Sequence, residues 1–399
     1  MTEEPVSLGD RIPSFLPYHR KLADLLARHE DGIWDWFASD QLTEHAFDEH
    51  RLYLLKSSVR LDQDSYGDLY AQAREVASQL DITAPITLYQ GTGAQRNAAL
   101  IYMPREVNLV FEGDILSILN PAEMRCLFGH EMAHFLHQTR EDGRYFTADR
   151  MLQWICGEGG AHQAHARSLW LSRLYQEIFA DRVGLAVCGD RDAAISTLIK
   201  ASTGLTKFSV PAYLEQARET LGLNAKRGAG GGSHPESYIR AIALDDWASD
   251  PTTADERLAG LVEGAWVLER LDLLAQKDIA ALTPVLILAF LDSDWGDSET
   301  LGAHLQTFDP RLERISPAPT DGLERIAELD TSLKSYFAYV LADFATADPE
   351  LEDVPLFAAL DFSHQWGFAA EFDALAVNDL KLTKKKLAEL RAERTGAQA

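Results

Sequence analysis

Residues 130–134 read His-Glu-Met-Ala-His inside an apolar stretch that runs over positions 128–136. Positions four apart fall on one face of a helix, so His130 and His134 can present two imidazole nitrogens to one metal ion. Glu131 then projects beside that ion, where its carboxylate can take a proton from a bound water. The same pattern also arises by chance on amphipathic helices, so it needs partners elsewhere in the chain.

Residues 176–186 supply candidates. Glu177 and Asp181 lie four apart in an otherwise apolar helical stretch. Two carboxylates on a half-buried face are costly unless paired with cations or bound to metal. An ion pair with Arg173 or Arg182 is one solution. The other makes Glu177 the third protein ligand of a catalytic zinc, which keeps its fourth position open for water. Asp181, one turn on, is then placed to accept the remaining N–H of a ligand imidazole and set its tautomer. Zinc would lower the pKa of its water to about 7, and Glu131 would complete the deprotonation and return the proton to a leaving amine. One Zn2+ per chain is the expected cofactor.

The elements that must position these groups follow from periodicity. Residues 1–82 open with prolines at 5, 13 and 17 and continue as mostly helical, with apolar positions such as Leu22, Leu25 and Leu26 at helical spacing. Residues 82–89, 97–102 and 107–111 alternate or are β-branched, which predicts a small antiparallel sheet around a turn at Pro104-Arg105. Asn120-Pro121-Ala122-Glu123 caps the next helix, expected from Pro121 to about Thr139, which carries the histidines. A helix over about 164–188 carries Glu177 and Asp181. The glycine run at 228–232 lacks the ending of a phosphate loop and reads as a flexible connection that delivers His234. Beyond about 250 the chain looks helical throughout. The expected architecture is α+β, a mainly helical core with a small antiparallel sheet and a helical C-terminal domain. Its expected segments are 1–82, 83–248 and 249–399.

With these motifs assembled, the chain resembles the HtpX and CAAX prenyl protease group of gluzincin zinc metallopeptidases. The resemblance rests on the segment from Leu119 through His134, on Glu177-Ile178-Phe179-Ala180-Asp181, and on His234-Pro235 followed by Arg240. It covers about residues 83–245. It implies an endopeptidase whose substrate strand lies along the edge at Asn97, Ala98 and Ala99. His234 would sit near the zinc and help stabilise the oxyanion, and Arg240 would organise the carboxylates or the loop. Residues 339–352 are similar to the acidic turn of TerB-like helical domains, which implies a regulatory or partner-binding module, with a plain helical buttress left open.

Composition bounds the rest. A formal net charge of -25 disfavours nucleic acid and anionic membrane surfaces. The start, Met1-Thr2-Glu3-Glu4-Pro5, has no secretory pattern, the apolar run near 282–291 is short and contains a proline, and the three cysteines are at no metal spacing. A cytoplasmic chain without membrane insertion is therefore expected, with protein or peptide substrates. His137, His162 and His165 are expected mainly at the surface, as are His29, His45 and His50. The triplet Lys384-Lys385-Lys386 reads as a solvated helix face. The alternative to a peptidase is a latent or non-catalytic zinc protein whose helical domains bind a partner. Glu131 argues against the non-catalytic form, since a purely structural zinc needs no base, and leaves latency open.

Overall fold

The computed structural model describes residues 8–29, 31–39, 44–103, 105–157, 162–224, 228–230, 234–383, 385 and 387. Residues 1–5, Pro104, residues 231–233, Lys384 and Lys386, which the sequence reading assigned to an extended start, a turn, a connecting loop and a solvated face, lie outside them. The chain divides into two compact units, Met1–Gly264 and Ala265–Ala399.

The first unit begins with four helices, α1 (Pro17–His29), α2 (Asp31–Ser39), α3 (Glu44–Ser57) and α4 (Gly67–Gln79). Strand β1 (Ser58–Arg60) interrupts them, and β2 (Ile86–Gly91), β3 (Asn97–Met103) and β4 (Glu106–Glu112) follow. Next come α5 (Ile115–Ile118), α6 (Pro121–Thr139), α7 (Arg144–Gly157) and α8 (Gln163–Cys188). The unit closes with α9 (Arg191–Thr203), α10 (Val210–Asn224), α11 (Ser237–Ser249) and α12 (Ala254–Val262).

The α+β expectation holds, but the sheet is mixed rather than antiparallel. Its order is β1-β2-β4-β3, with β2 and β4 parallel and the other two pairs antiparallel. The β3–β4 hairpin folds back so that β4 inserts beside β2 (Leu88 opposite Leu109), which drives β3 to the edge. The reason is burial. β4 carries five consecutive buried residues, Val107 through Phe111, and a strand buried on both faces belongs in the middle of a sheet. β1, which periodicity placed among helices, covers the opposite edge.

The sheet packs on α6 through Phe111 and Phe128, whose rings meet edge to face at 5.9 Å. The start of α6 is fixed by a capping box. The Asn120 side chain accepts from the N–H groups of Ala122 and Glu123, and Glu123 accepts from the N–H of Asn120. α8 lies antiparallel to α6, and glycines let the two backbones touch. A Cβ on Gly129 would stand 2.9 Å from Cα of Gly184, and one on Gly184 would stand 2.8 Å from the carbonyl oxygen of Cys126. This close crossing sets the histidines of α6 against the carboxylates of α8.

α1 closes over the other side of α7 and α8. Tyr18 stacks on Tyr175 at 4.7 Å, and Nε2–H of His19 donates to the Ser172 carbonyl at 3.0 Å. His137, expected at the surface, is buried in this layer against Phe15, His19 and Tyr145. It lies seven after His130, two turns further along nearly the same side of α6, where Phe15 and His19 cover it. His29, His50 and His162 are exposed, His165 is partly buried, and the side chain of His45 falls outside the description.

The glycine run is not a free connection where it is described. Gly228 has φ +65, the N–H of Ala229 donates to Val262, and the N–H of Gly230 donates to Glu236. A Cβ at position 228 would meet the Gly264 nitrogen at 2.6 Å, so a residue without one is required.

Among its described residues the second unit carries helices and no strand. It is built from α13 (Leu273–Phe290), α14 (Glu299–Phe308), α15 (Thr331–Ala345), α16 (Val354–Gln365) and α17 (Ala369–Asn378) around Phe337, Phe344, Phe368 and Phe372. α13 extends the apolar run seen in the sequence to 18 residues and, by length and composition, is long and apolar enough to cross a membrane. Leu282, Leu286, Ile287 and Phe290 on this helix belong to the core of the unit.

Candidate metal centre

The helix crossing brings His130, His134 and Glu177 together. One donor atom from each lies within 4.8 Å of the other two. Nε2 of His130 is 3.6 Å from Oε2 of Glu177, and Nε2 of His134 is 3.6 Å from Oε1. Ligands on a tetrahedral zinc sit at about 2.1 Å, so the edges of that tetrahedron measure about 3.4 Å. The spacing of this set therefore fits the ion. The donor set also fits, because buried Oε2 of Glu177 has no hydrogen-bond partner. An acceptor left bare in a buried site is expensive, and a cation removes that cost.

Neither arginine suggested by the sequence neutralises the two acids. Arg173 pairs with Asp149, and Arg182 pairs with Asp255. The cation is Arg240, from α11. It donates to both oxygens of Asp181, at 2.7 and 2.6 Å, and stands 3.4 Å from Oε2 of Glu177. Asp181 in turn meets Nδ1 of His130 at 3.0 Å. That contact leaves Nε2 of His130 as the ligand atom, since Nδ1 carries the proton that Asp181 accepts.

His134 has a partner that the sequence reading missed. The Gln176 carboxamide lies 3.2 Å from Nδ1 of His134. A ligating Nε2 requires Nδ1–H, which the amide accepts through its oxygen once the two ends of the amide are exchanged. The signal was available, because Gln176 precedes Glu177 and follows Ser172 by one turn on the same face. A neutral amide simply does not stand out as a charged residue does.

The electrostatics are those of a buried, strongly coupled cluster. Burial lifts Glu131 to about 6, against the pull of His130. Burial lowers His134 to about 4. Burial works to lower His130 too, but Asp181 overcomes it and the net direction is upward. Burial opposes ionisation of Asp181, yet Arg240 and His130 bring it down to about 2, and Glu177 is lowered by Arg240 and the histidines in the same way. At neutral pH His134 is thus available as a lone pair and Glu177 and Asp181 are charged, while Asp181 favours the protonated form of His130, whose proton a bound metal ion would displace.

A cleft of about 570 Å³ opens on this cluster. Asn97, Ala98, Ala99 and Leu100 of β3 form one wall, α6 and α9 another, and His234 stands at the rim with its side chain 57% exposed. Nε2 of His234 is 3.8 Å from Oε1 of Glu177. The N–H of Leu100 donates to Oε2 of Glu131 at 3.0 Å, so the edge strand and the carboxylate beside the ligands are in direct contact.

Two histidines four apart, a glutamate from a second helix and a carboxylate in a cleft edged by a strand define a centre of the His-Glu-x-x-His metallopeptidase class. Residues 65–248 match the model of peptidase family M48. Over this segment the chain is similar to that family, consistent with an HtpX-like zinc metallopeptidase. No curated protein and no solved structure matches the chain.

Proposed function

We propose that this protein is a zinc-dependent endopeptidase in which His130, His134 and Glu177 hold one zinc ion and Glu131 is the base. The observation that carries the reading is the position of Glu131, buried between the ligand cluster and the edge strand, with its ordinary value shifted up to about 6 by burial. A base poised near neutrality both accepts a proton from water and passes it on to a leaving amine. Zinc bound to the three ligands supplies Lewis acidity toward water and the scissile carbonyl.

The peptide lies along β3. Leu100 turns its N–H away from β4 toward Glu131, and strand alternation turns the N–H and C=O of Ala98 the same way. Ala98 is therefore the residue of the Asn97, Ala98, Ala99 trio that pairs with an added strand. His234, exposed at the rim and close to Glu177, donates to the oxyanion as the carbonyl becomes tetrahedral. Asp181 and Arg240 hold His130 in place.

The reading is tested by zinc stoichiometry and by cleavage of an unfolded protein such as casein. Wild type is expected to bind one zinc and cleave internal bonds. Glu131→Gln is expected to bind zinc equally and lose at least about 100-fold in turnover. Equal cleavage by the two proteins would overturn the assignment.

A further inference from the structure

Cys126 and Cys188 lie far apart in sequence but meet at the α6–α8 crossing, one turn beyond the glycine contact. A Cβ on Gly184 would stand 3.1 Å from Sγ of Cys126, and Cys188 follows Gly184 by four residues on the same face of α8. Both thiols are free and buried, and both belong to one apolar cluster with Leu185. Each thiol shifts the other, Cys126 upward and Cys188 downward. Sγ of Cys188 also approaches the carbonyls of Leu185 and Asp190, at 3.7 and 3.4 Å. Cys126 lines the cleft that opens on the metal ligands, so a small solute has a route to the pair.

We propose that Cys126 and Cys188 form a reversible disulfide that staples the two ligand-bearing helices, with a hydroperoxide as oxidant. The sulfur of Cys188 attacks one peroxide oxygen and the O–O bond breaks, which leaves a sulfenic acid on Cys188 and releases water or an alcohol. The sulfur of Cys126 then attacks that sulfur, the S–S bond forms, the S–O bond breaks and water leaves. The two thiols lose two electrons and two protons, and the peroxide takes them up. The order of attack is written from the direction in which the two thiols shift each other, Cys188 downward and Cys126 upward, and the reverse order balances equally and gives the same disulfide. The staple joins α6 at the turn before His130 to α8 at the turn after Gly184. It closes a long loop in the unfolded chain, which is the situation in which a disulfide stabilises most.

The test treats the full-length protein with hydrogen peroxide, blocks remaining thiols with iodoacetamide and maps the peptides. A monomer in which Cys126 and Cys188 are linked and Cys156 is alkylated or separately oxidised is expected. Its unfolding midpoint should rise by roughly 5–10 °C and return on adding dithiothreitol. Cys156→Ala should keep both effects, and Cys188→Ala should abolish them. Recovery of Cys126 and Cys188 as alkylated thiols or as separate sulfonic acids would overturn the proposal, as would a linked species with an unchanged or lower midpoint. None of these readouts depends on peptide hydrolysis.

Discussion

Arg240 grips Asp181 with two hydrogen bonds, from Nε at 2.7 Å and from a terminal nitrogen at 2.6 Å. This fork ties α11 to α8 and places a permanent positive charge behind the acidic half of the site. The planar geometry of guanidinium suits it, where a lysine would reach only one oxygen.

Arg240→Gln should therefore leave Asp181 and Glu177 facing each other with no fixed cation. A stability loss of about 3 kcal/mol is expected in zinc-free protein, because a buried charge pair has lost one partner. Zinc affinity should fall about 10- to 100-fold as Asp181 ceases to hold His130 squarely. Thermal melts with and without zinc, and competition against a chromophoric chelator, measure the two effects. Addition of zinc should recover part of the lost stability, since the ion neutralises Glu177.

Gln176→Leu removes the partner of His134 without touching charge. Zinc affinity should drop about 10-fold, and Gln176→Glu should restore or exceed the wild-type value because a carboxylate accepts from Nδ1–H more strongly. The same chelator competition decides it. Equal affinity in all three proteins would mean that the amide does not orient the ring.

Gly184→Ala puts a methyl group 2.8 Å from a backbone carbonyl of α6, which no side-chain rotation relieves. The helices must separate, at an expected cost of about 2–3 kcal/mol. Because His130 and Glu177 sit on opposite sides of that crossing, zinc affinity should fall with stability. Urea unfolding and zinc titration on the same preparation test whether the two losses travel together.

His19 makes the N-terminal layer pH-sensitive. Burial takes it from 6.5 to about 4 in the folded protein, so the unfolded chain binds the extra proton between those values. Stability is then complete above about pH 6.5 and falls as the pH drops toward 4, by about 2 kcal/mol at pH 5 and about 3 kcal/mol in full. His137, buried beside it and lowered chiefly by burial, adds to the loss in the same direction. Urea midpoints at pH 7 and pH 5 read the effect, and His19→Gln should flatten the difference.

The helices that carry the site were legible because their signals are local. Asn120-Pro121 and Glu123 cap α6 within four residues, and the spacing of four places His130 with His134 and Glu177 with Asp181 on single faces whatever the rest of the chain does. What periodicity read less well was everything set by pairing at long range. A short strand such as β1 has too few residues to show alternation, and the buried run of β4 does not announce which strands flank it. His137 looked like any polar residue near a helix end until α1 covered it.

From sequence alone, then, two histidines, two carboxylates and a base followed with their order and spacing, because helical geometry converts a count of four into a shared face. Only the tertiary structure decided which cation answers the acids, and it chose Arg240 over the nearer Arg173 and Arg182. Those two are taken up by other acids, Arg173 by Asp149 and the buried Arg182 by Asp255. The contact between Leu100 and Glu131 was decided in the same way, by the insertion of β4 that leaves β3 at the edge of the sheet beside α6.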